Sequence, residues 1–428
     1  MASSRYVVLG LALARSPWFR AVAQWSHSAA IPVEFVKCMS PVELRAHLGS
    51  GRAFSALLAD AAVPALDRDL ISEAGDAGCA VIVVDDLRVT RDWAALGADA
   101  VVNPVFERKD LLDVLAEHAS EIARGDAVPG DVSKVPEAAW RAALAMVCGP
   151  GGTGASTVAI ALAQTLAEDL RFGGMVLLAD LARHGEQAML HDARDIVPGV
   201  QELVDAHRTG RPSVEEVREL TFSLEARRYQ LLLGLRRARN WPALRPRAFA
   251  AALDTLCRGW RAVVCDADAD LEGEDDAGSI DVEERNVMAR AVAARADVVF
   301  AVGGAGMKGV HSLVRVIRDL VDHAVPPERI VPVVNRAPKG PRARAEVTSA
   351  VADLLQGRAA GAPVATPVFL PERRVEESLR DGVPLPRQLG APVAGAFTAV
   401  LDRWGSRTEI EPMPVAVGSV GSWTVEPA

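Results

Sequence analysis

The sequence predicts an α/β protein built from two parallel-sheet domains in series, and three observations carry that expectation. Short apolar runs alternate with helical patterns from Arg5 to about Arg124. A second series of buried-strand patterns extends from about Ala138 to Ser406. That second series opens on a glycine loop, Gly149-Pro-Gly-Gly-Thr-Gly154, set between an apolar run and a helical pattern. A chain of 428 residues exceeds one ordinary core, so two domains are expected. Half of the residues are hydrophobic, mostly Ala, Val and Leu, which is enough for both cores. The net charge of −9 argues against broad nucleic-acid binding, although a local basic patch is compatible with it.

In the first unit the expected strands are Tyr6–Leu13, Val33–Val36, Ala56–Leu58, Ala80–Val84 and Ala100–Val102. Helical patterns at Pro41–Leu48, Leu66–Ala77 and Lys109–Ile122 lie between and after them, giving five βα repeats. The opening stretch from Tyr6 to Ala14 ends in Ala12-Leu13-Ala14, a passable cleavage pattern. Its single upstream charge, short apolar core and immediate strand–helix rhythm favour a strand over a signal peptide. No apolar run approaches the ~20 residues that span a bilayer, so the chain is expected to be soluble or attached only at a membrane surface. Cys38, Cys79, Cys148, Cys257 and Cys265 stand singly, with no CxxC or Cys/His cluster. A reducing cytoplasm without disulfides or structural zinc is the expected setting. Residues 125–137 have linker composition, and residues 407–428 read as a disordered tail. The domain expectation is therefore 1–124, linker 125–137, 138–406, tail 407–428.

Two motifs of the first unit resemble a response-regulator receiver domain, a flavodoxin-like fold. Asp60-Ala-Ala-Val-Pro64 matches the Asp-x-x-x-Pro after the phospho-accepting strand, and Gly97-Ala-Asp-Ala-Val-Val-Asn-Pro104 matches the Gly-Ala-Asp…Lys-Pro of the fifth strand. The departures are chemical. No acidic pair follows the first strand, and the lysine position is Asn103. A phosphoryl-accepting Asp needs a metal held by carboxylates and a cation on the transferred group. The unit is therefore read as a pseudo-receiver and interaction module, with Asp60 a strand-end carboxylate.

In the second unit, four glycines in six positions form a nest of backbone N–H groups before the helix that starts at Ser156, a geometry that holds anions. The P-loop signature requires Lys-Ser/Thr after the last glycine; here Ala155 precedes Ser156 and Thr157. Further strands are expected at Met175–Ala179, Tyr229–Leu233, Arg261–Cys265, Val298–Val302 and Ile330–Val334. Val263-Val-Cys-Asp266 has the form of a Walker B strand, and Val333-Val-Asn-Arg336 and Val368-Phe-Leu-Pro-Glu372 follow later.

This constellation, from Met146 to Trp404, resembles the MinD/ParA superfamily of deviant Walker ATPases. The fused front end is similar to the TadZ/CpaE branch that positions Tad/Flp pilus machinery, and the chain also resembles actinobacterial septum-site-determining proteins. The resemblance implies a P-loop NTPase-like fold and the following site. The family loop Lys-Gly-Gly-x-Gly-Lys-Ser/Thr-Thr falls on Pro150-Gly151-Gly152-Thr153-Gly154-Ala155-Ser156-Thr157, so both lysines are missing. Ser156 and Asp266 would hold Mg²⁺. The Asp-x-Asp of switch I is Asp180-Leu-Ala182, which retains Asp180 alone. Asn335 and Arg336 match the pair that frames adenine, with Pro371 near the base. Asp180 and Asp266 are the catalytic candidates.

Backbone nest and helix dipole remain, so ATP or ADP is expected to bind weakly or not at all; hydrolysis is expected to be weak or absent because no lysine meets charge on the β/γ oxygens. Arg183 is a candidate substitute cation or a solvated loop charge. Asp268, Asp270 and Glu272–Asp276 read as a solvated acidic loop rather than a metal cluster. Arg236, Arg237, Arg239, Arg245 and Arg247, around Trp241, read as a solvated basic stretch able to meet an acidic partner or lipid headgroups. The last helix, Val393–Trp404, carries Val393, Phe397, Val400, Leu401 and Trp404 on one face and is expected to pack on its own sheet, with membrane attachment as the alternative.

The expected function is that of a cytoplasmic, homodimeric spatial organiser recruited to the membrane surface at a pole or septum. It would act in pilus positioning or septum-site determination, with a pilus or secretion ATPase or a cell-division protein as partner. Two rivals stay open: a working ATPase with a substitute arginine, and a phosphorylation-controlled regulator acting through Asp60.

Overall fold

The structure, a computed structural model, describes residues 5–122, 141–355 and 364–405, except 14, 15, 29, 51, 87, 90 and 194. The linker expected at 125–137 and the tail expected at 407–428 lie outside the described residues.

Five strands, β1 (Tyr6–Leu11), β2 (Val33–Cys38), β3 (Ala56–Asp60), β4 (Ala80–Val84) and β5 (Ala100–Val102), form a wholly parallel sheet in the order β2-β1-β3-β4-β5. This is the strand order of doubly wound sheets whose switch point lies between the first and third strands. The apolar opening of the chain is thus an interior strand, buried at all six residues. Helices Pro17–His27 and Arg108–His118 bury Trp18, Phe19, Leu111 and Leu115 on one face. Pro41–Leu48 and Arg68–Asp76 bury Leu44, Leu70 and Ile71 on the other. The fourth βα repeat is incomplete: β4 reaches β5 through turns around 93–97, not through a helix. Trp93 and Leu96 close the core from that turn, so the segment needs no amphipathic face.

The second sheet has eight strands: β6 (Ala143–Cys148), β7 (Val176–Leu181), β8 (Phe222–Leu224), β9 (Tyr229–Leu232), β10 (Ala262–Ala267), β11 (Val298–Gly304), β12 (Ile330–Ala337) and β13 (Val368–Pro371). Their order is β13-β12-β11-β6-β10-β7-β9-β8, parallel except for β8 against β9. β8 is the strand that the apolar pattern does not reveal, because it has three residues around an exposed Ser223. Near-continuous Val, Leu and Ala runs in β6, β7, β10 and β11 reflect burial on both faces.

Helices Ala155–Glu168 and Arg387–Gly405 cover one face of this sheet. Gly390 brings them close, since a Cβ there would lie 2.0 Å from Thr165 Oγ1. Val393, Phe397 and Val400 are fully buried in that core, so the last helix packs on its own domain; it begins at Arg387, earlier than expected. The side chain of Trp404 lies outside the described residues. No described helix is long and apolar enough to cross a membrane. Helices Val200–Thr209, Pro246–Gly259, Val287–Arg295 and Met307–Asp322 cover the opposite face.

Helix Arg68–Asp76 joins the two sheets. The Arg68 guanidinium donates to the carbonyls of His207 (2.9 Å) and Gly210 (3.1 Å). The buried Asp69 carboxylate accepts from Arg247 N (2.9 Å) and Ala248 N (3.3 Å), in the first turn of helix Pro246–Gly259, which has no side-chain cap of its own. Arg247 also pairs with Asp76, and Arg236 with Glu202. Part of the basic stretch read as solvated is therefore neutralised by acidic residues of this chain. Asp69→Ala removes a cap from inside a buried interface, and a loss of about 1–2 kcal/mol in urea unfolding is expected; an unchanged midpoint would show that this junction contributes nothing to stability.

Candidate functional site

All the expected site residues of the second unit lie at the carboxyl edge of the sheet, where open α/β sheets bind ligands. β6 ends at Cys148, and residues 149–154 loop over into the helix beginning at Ala155. Gly154 is the N-cap, left-handed at φ 85°, and a Cβ there would lie 2.6 Å from Asn335 Nδ2. Glycine is required on both counts. The helix has neither a side-chain cap nor an acidic residue of its own in the first turn, so its positive end faces the loop. Gly151, Gly152, Thr153 and Gly154 are loop residues; Ala155, Ser156 and Thr157 form the first helical turn.

Asn335, near the end of β12, clamps this loop. Its Nδ2 donates to Thr153 O (2.8 Å) and its Oδ1 accepts from Arg336 N (2.9 Å). Arg336 is left-handed at φ 50°, an uncommon conformation for a side-chain-bearing residue. Asn335, Arg336 and Pro371 line a cavity of about 580 Å³ together with Gly154 and Thr157. Five of the residues expected around a nucleotide are thus gathered in one cavity, although their spans in sequence exceed 200 residues.

Asp180 and Asp266 are direct neighbours across the β7–β10 ladder. Both are buried, at 1% and 3% exposure. Gln187, itself fully buried, bridges them: its backbone N–H donates to Asp180 (3.1 Å) and its side-chain Nε2 to Asp266 (2.7 Å). The Ser156 hydroxyl also hydrogen-bonds Asp266. Burial and, second, the charge of Asp266 push the Asp180 carboxyl far above the usual carboxylate range. Burial also raises Asp266, but the hydrogen bonds from Gln187 and Ser156 hold it lower. At neutral pH the pair therefore keeps its proton on Asp180 and its charge on Asp266.

The donor set fits a hard cation such as Mg²⁺. Ser156 and Asp266 supply oxygens already in contact, and the buried Oε1 of Gln187, on the amide that touches Asp266, has no partner. Gln187 is the site residue that sequence reasoning misses. It lies on a short helix, Gln187–Leu190, and nothing in the local pattern separates it from a solvated glutamine.

Arg183 is not a solvated charge. Its backbone N–H donates to Asp268 (2.9 Å), and its guanidinium lies 4.0 Å from Asp270. It is absent from the lining of the cavities beside the glycine loop. The acidic run is likewise only partly solvated: Asp270 accepts from Arg285 and Asn286, and Asp270, Glu272, Asp275 and Asp276 line a cavity of about 710 Å³ that Pro150 of the glycine loop also borders. Among the described residues no group of three or more His, Cys, Asp or Glu is placed to hold a metal.

In the first unit Asp60 ends β3 at the switch point and is 6% exposed. Its carboxylate accepts from the Ser16 hydroxyl, Trp18 Nε1 (3.3 Å) and Ala62 N (2.9 Å). Asn103 accepts from Val105 N (3.1 Å) and caps a turn.

No family model matches this chain, and no curated protein matches it. The solved structures similar to it are MinD/ParA-family P-loop ATPases at low identity. A ParA-family ATPase from Chlorobium tepidum TLS is 14% identical with a TM-score of 0.44, over 61% of this chain and 98% of that chain. The septum site-determining protein MinD complexed with Mg-ADP from Pyrococcus horikoshii OT3 is 17% identical with a TM-score of 0.43, over 63% and 98%. Apo McdA of Cyanothece is 17% identical with a TM-score of 0.42, over 61% and 98%.

The Asp180 proton has a measurable consequence. A carboxyl raised in the folded state contributes stability that is present below its unfolded pKa and is lost as pH rises through the folded value. Urea midpoints of the wild type should fall between pH 5 and pH 8.5, and Asp180→Asn, which supplies a permanently neutral side chain of the same shape, should flatten that fall. At pH 7 the substitution should cost less than about 1 kcal/mol. A larger loss, or an unchanged pH slope, would place the proton elsewhere.

Proposed function

We propose that this protein is a nucleotide-binding spatial organiser of the MinD/ParA type whose site binds ATP or ADP weakly and hydrolyses little or none of it. The observation that carries the proposal is a complete nucleotide-shaped edge without its lysines. Glycine loop, helix N-terminus, Ser156–Asp266 pair and base-sized cavity are all at one edge, while positions 150 and 155 are Pro and Ala.

The residues divide the work by position. The loop N–H groups and the start of helix Ala155–Glu168 receive the phosphates. Asn335, Arg336 and Pro371 border the space for base and ribose. Ser156 and Asp266 would hold Mg²⁺, which would supply positive charge to offset that of the phosphates. Gln187 keeps Asp266 ionised and oriented, and Asp180, protonated, adds no second negative charge. A hydrogen bond to a charged group contributes roughly 1.5–3 kcal/mol, so the two missing lysines weaken phosphate binding by about 10²–10⁴-fold.

In such a protein nucleotide occupancy acts as a structural device, holding two subunits face to face rather than driving rapid turnover. The fused N-terminal unit supports a positioning role in Tad/Flp pilus assembly, with its helices as docking surface for a pilus or secretion ATPase. Septum-site determination, with a cell-division partner and recruitment to the membrane surface, is the other output compatible with the same residues.

Fluorescent ATP titrated with Mg²⁺ against the full chain should give a Kd above ~10 µM, weaker than about −7 kcal/mol. Phosphate release should stay at the level of Asp266→Ala. Tighter binding together with turnover that Asp266→Ala abolishes would identify a working ATPase instead.

A further inference from the structure

Gln187 stands on a helix of four residues, Gln187–Leu190, too short for backbone bonds alone to sustain. Side chains hold it instead. At its start the Gln187 backbone N–H donates to the Asp180 carboxyl (3.1 Å). At its end the Gln187 carbonyl accepts from both the backbone N–H of His191 (3.1 Å) and His191 Nδ1 (2.7 Å). The other ring nitrogen, Nε2, lies 2.7 Å from the Tyr229 hydroxyl, and the two rings meet edge to face with centroids 5.9 Å apart. Beside both rings is Arg227; Tyr229 and Arg227 are each only 2% exposed.

The direction of each bond follows from its chemistry. A carbonyl only accepts, so His191 carries its proton on Nδ1. Burial, the largest effect, brings the imidazole down to about 4, and Arg227 acts the same way against the Gln187 bond. The ring is therefore neutral at pH 7, and its Nε2 accepts from the Tyr229 O–H. Burial pushes that hydroxyl up to about 12, against the charge and hydrogen bond of Arg227, so it keeps its proton. Arg227 is anchored in turn by donating to the carbonyls of Ser378 (3.0 Å) and Val383 (3.2 Å), just after Glu376 on the wall of the base-sized cavity. From Arg227 through Tyr229 and His191, every donor faces Gln187.

The row ends on an unmet group. Gln187 is fully buried, its Nε2 is spent on Asp266, and its Oε1 has no partner. A bare buried acceptor is costly, and a neutral carboxamide oxygen is a hard donor suited to a divalent cation. We infer that Gln187 supplies Oε1 to the oxygen set of the divalent cation at Ser156 and Asp266, and that His191 and Tyr229 are positioning residues that keep it there. The inference rests on the nucleotide reading above and adds to it a third oxygen and the side chains that aim it. A similar histidine lies away from the site: His207 Nδ1 meets Leu203 O (2.8 Å) and its Nε2 meets Thr255 Oγ1 (2.9 Å). There the row stops at a helix carbonyl, with no unpartnered oxygen beyond it, so that pair serves as the structural control.

The test uses the full chain and fluorescent ATP, with EDTA as the cation-free state, Mg²⁺ as titrant, and Mn²⁺ read by electron paramagnetic resonance as a direct probe of cation binding. Gln187→Leu should raise the half-saturating Mg²⁺ about tenfold, and Tyr229→Phe, which acts through two further bonds, about threefold. Both should change ATP binding in EDTA by less than about twofold, and Mn²⁺ should weaken in the same order. His191→Asn, whose amide nitrogen can stand in for Nδ1, should lose less than His191→Phe; this pair decides the matter should either of the other variants fail to fold. Thr255→Val should lower the melting temperature without moving the Mg²⁺ midpoint. If the variants at 187, 191 and 229 lower only the melting temperature, the row is scaffolding and the inference fails while the nucleotide reading stands. A midpoint moved by Gln187→Leu alone would overturn the positioning role, and wild-type ATP binding that Mg²⁺ does not alter would overturn the cation role. Failure of the wild type to bind ATP at millimolar concentration would overturn this inference and the nucleotide reading together.

Discussion

Two carboxylates at the same level of adjacent parallel strands cannot both stay ionised inside a protein core, and the site of this protein is arranged around that constraint. Asp180 and Asp266 meet across the β7–β10 ladder with almost no access to water. The low dielectric makes each charge costly and their mutual repulsion stronger. Gln187 answers it by donating one N–H to each, and Ser156 adds a hydroxyl to Asp266. The result is a single negative charge next to the first turn of the helix that leaves the glycine loop. Backbone has to come close to make room: a Cβ on Gly185 would lie 2.3 Å from an Asp180 oxygen. Any ligand at this edge therefore meets a site whose internal charge is already settled.

The glycine loop shows how backbone and side-chain contributions to anion binding separate. Its conformation depends on glycine at φ 85° and on the clamp from Asn335, neither of which involves a lysine. The loop therefore holds its conformation with no lysine among residues 149–157. Charge near the loop comes instead from elements distant in sequence, at the ends of β11 and β12. Arg183, the nearest arginine in sequence to Asp180, is drawn to Asp268 and Asp270. Proximity in sequence was a poor guide to which cation faces the loop, because the acidic run after β10 competes for it.

The first sheet meets the second through polar groups rather than apolar area alone. Asp69 and Arg68, adjacent on one helix, bind backbone N–H and C=O groups of two different helices of the second sheet. Such bonds fix orientation, because they tie side chains of one helix to backbone groups of the other sheet's helices at a part-buried junction. Asp60, at the end of β3, is engaged by Ser16, Trp18 and Ala62, which orients its carboxylate.

Apolar runs of the interior strands are long enough to be read directly, and each strand expected from them is found within three residues of its observed ends. The glycine loop and the Asp at the end of an apolar run were equally legible, since both are contiguous patterns with a local cause. The half-exposed β8 and the helix-free connection between β4 and β5 were not, because neither carries a periodic apolar signal. What the sequence determined by itself was therefore the α/β class, the place of the glycine loop and the absence of lysine from it. Tertiary structure alone decided that Asp180 and Asp266 lie buried side by side, that Gln187 bridges them, and that Lys308 and Arg336 border the loop. Those relations arise between strands and helices brought together only by the sheet order, and strand register across β7, β10, β6, β11 and β12 is a long-range property that no local window contains.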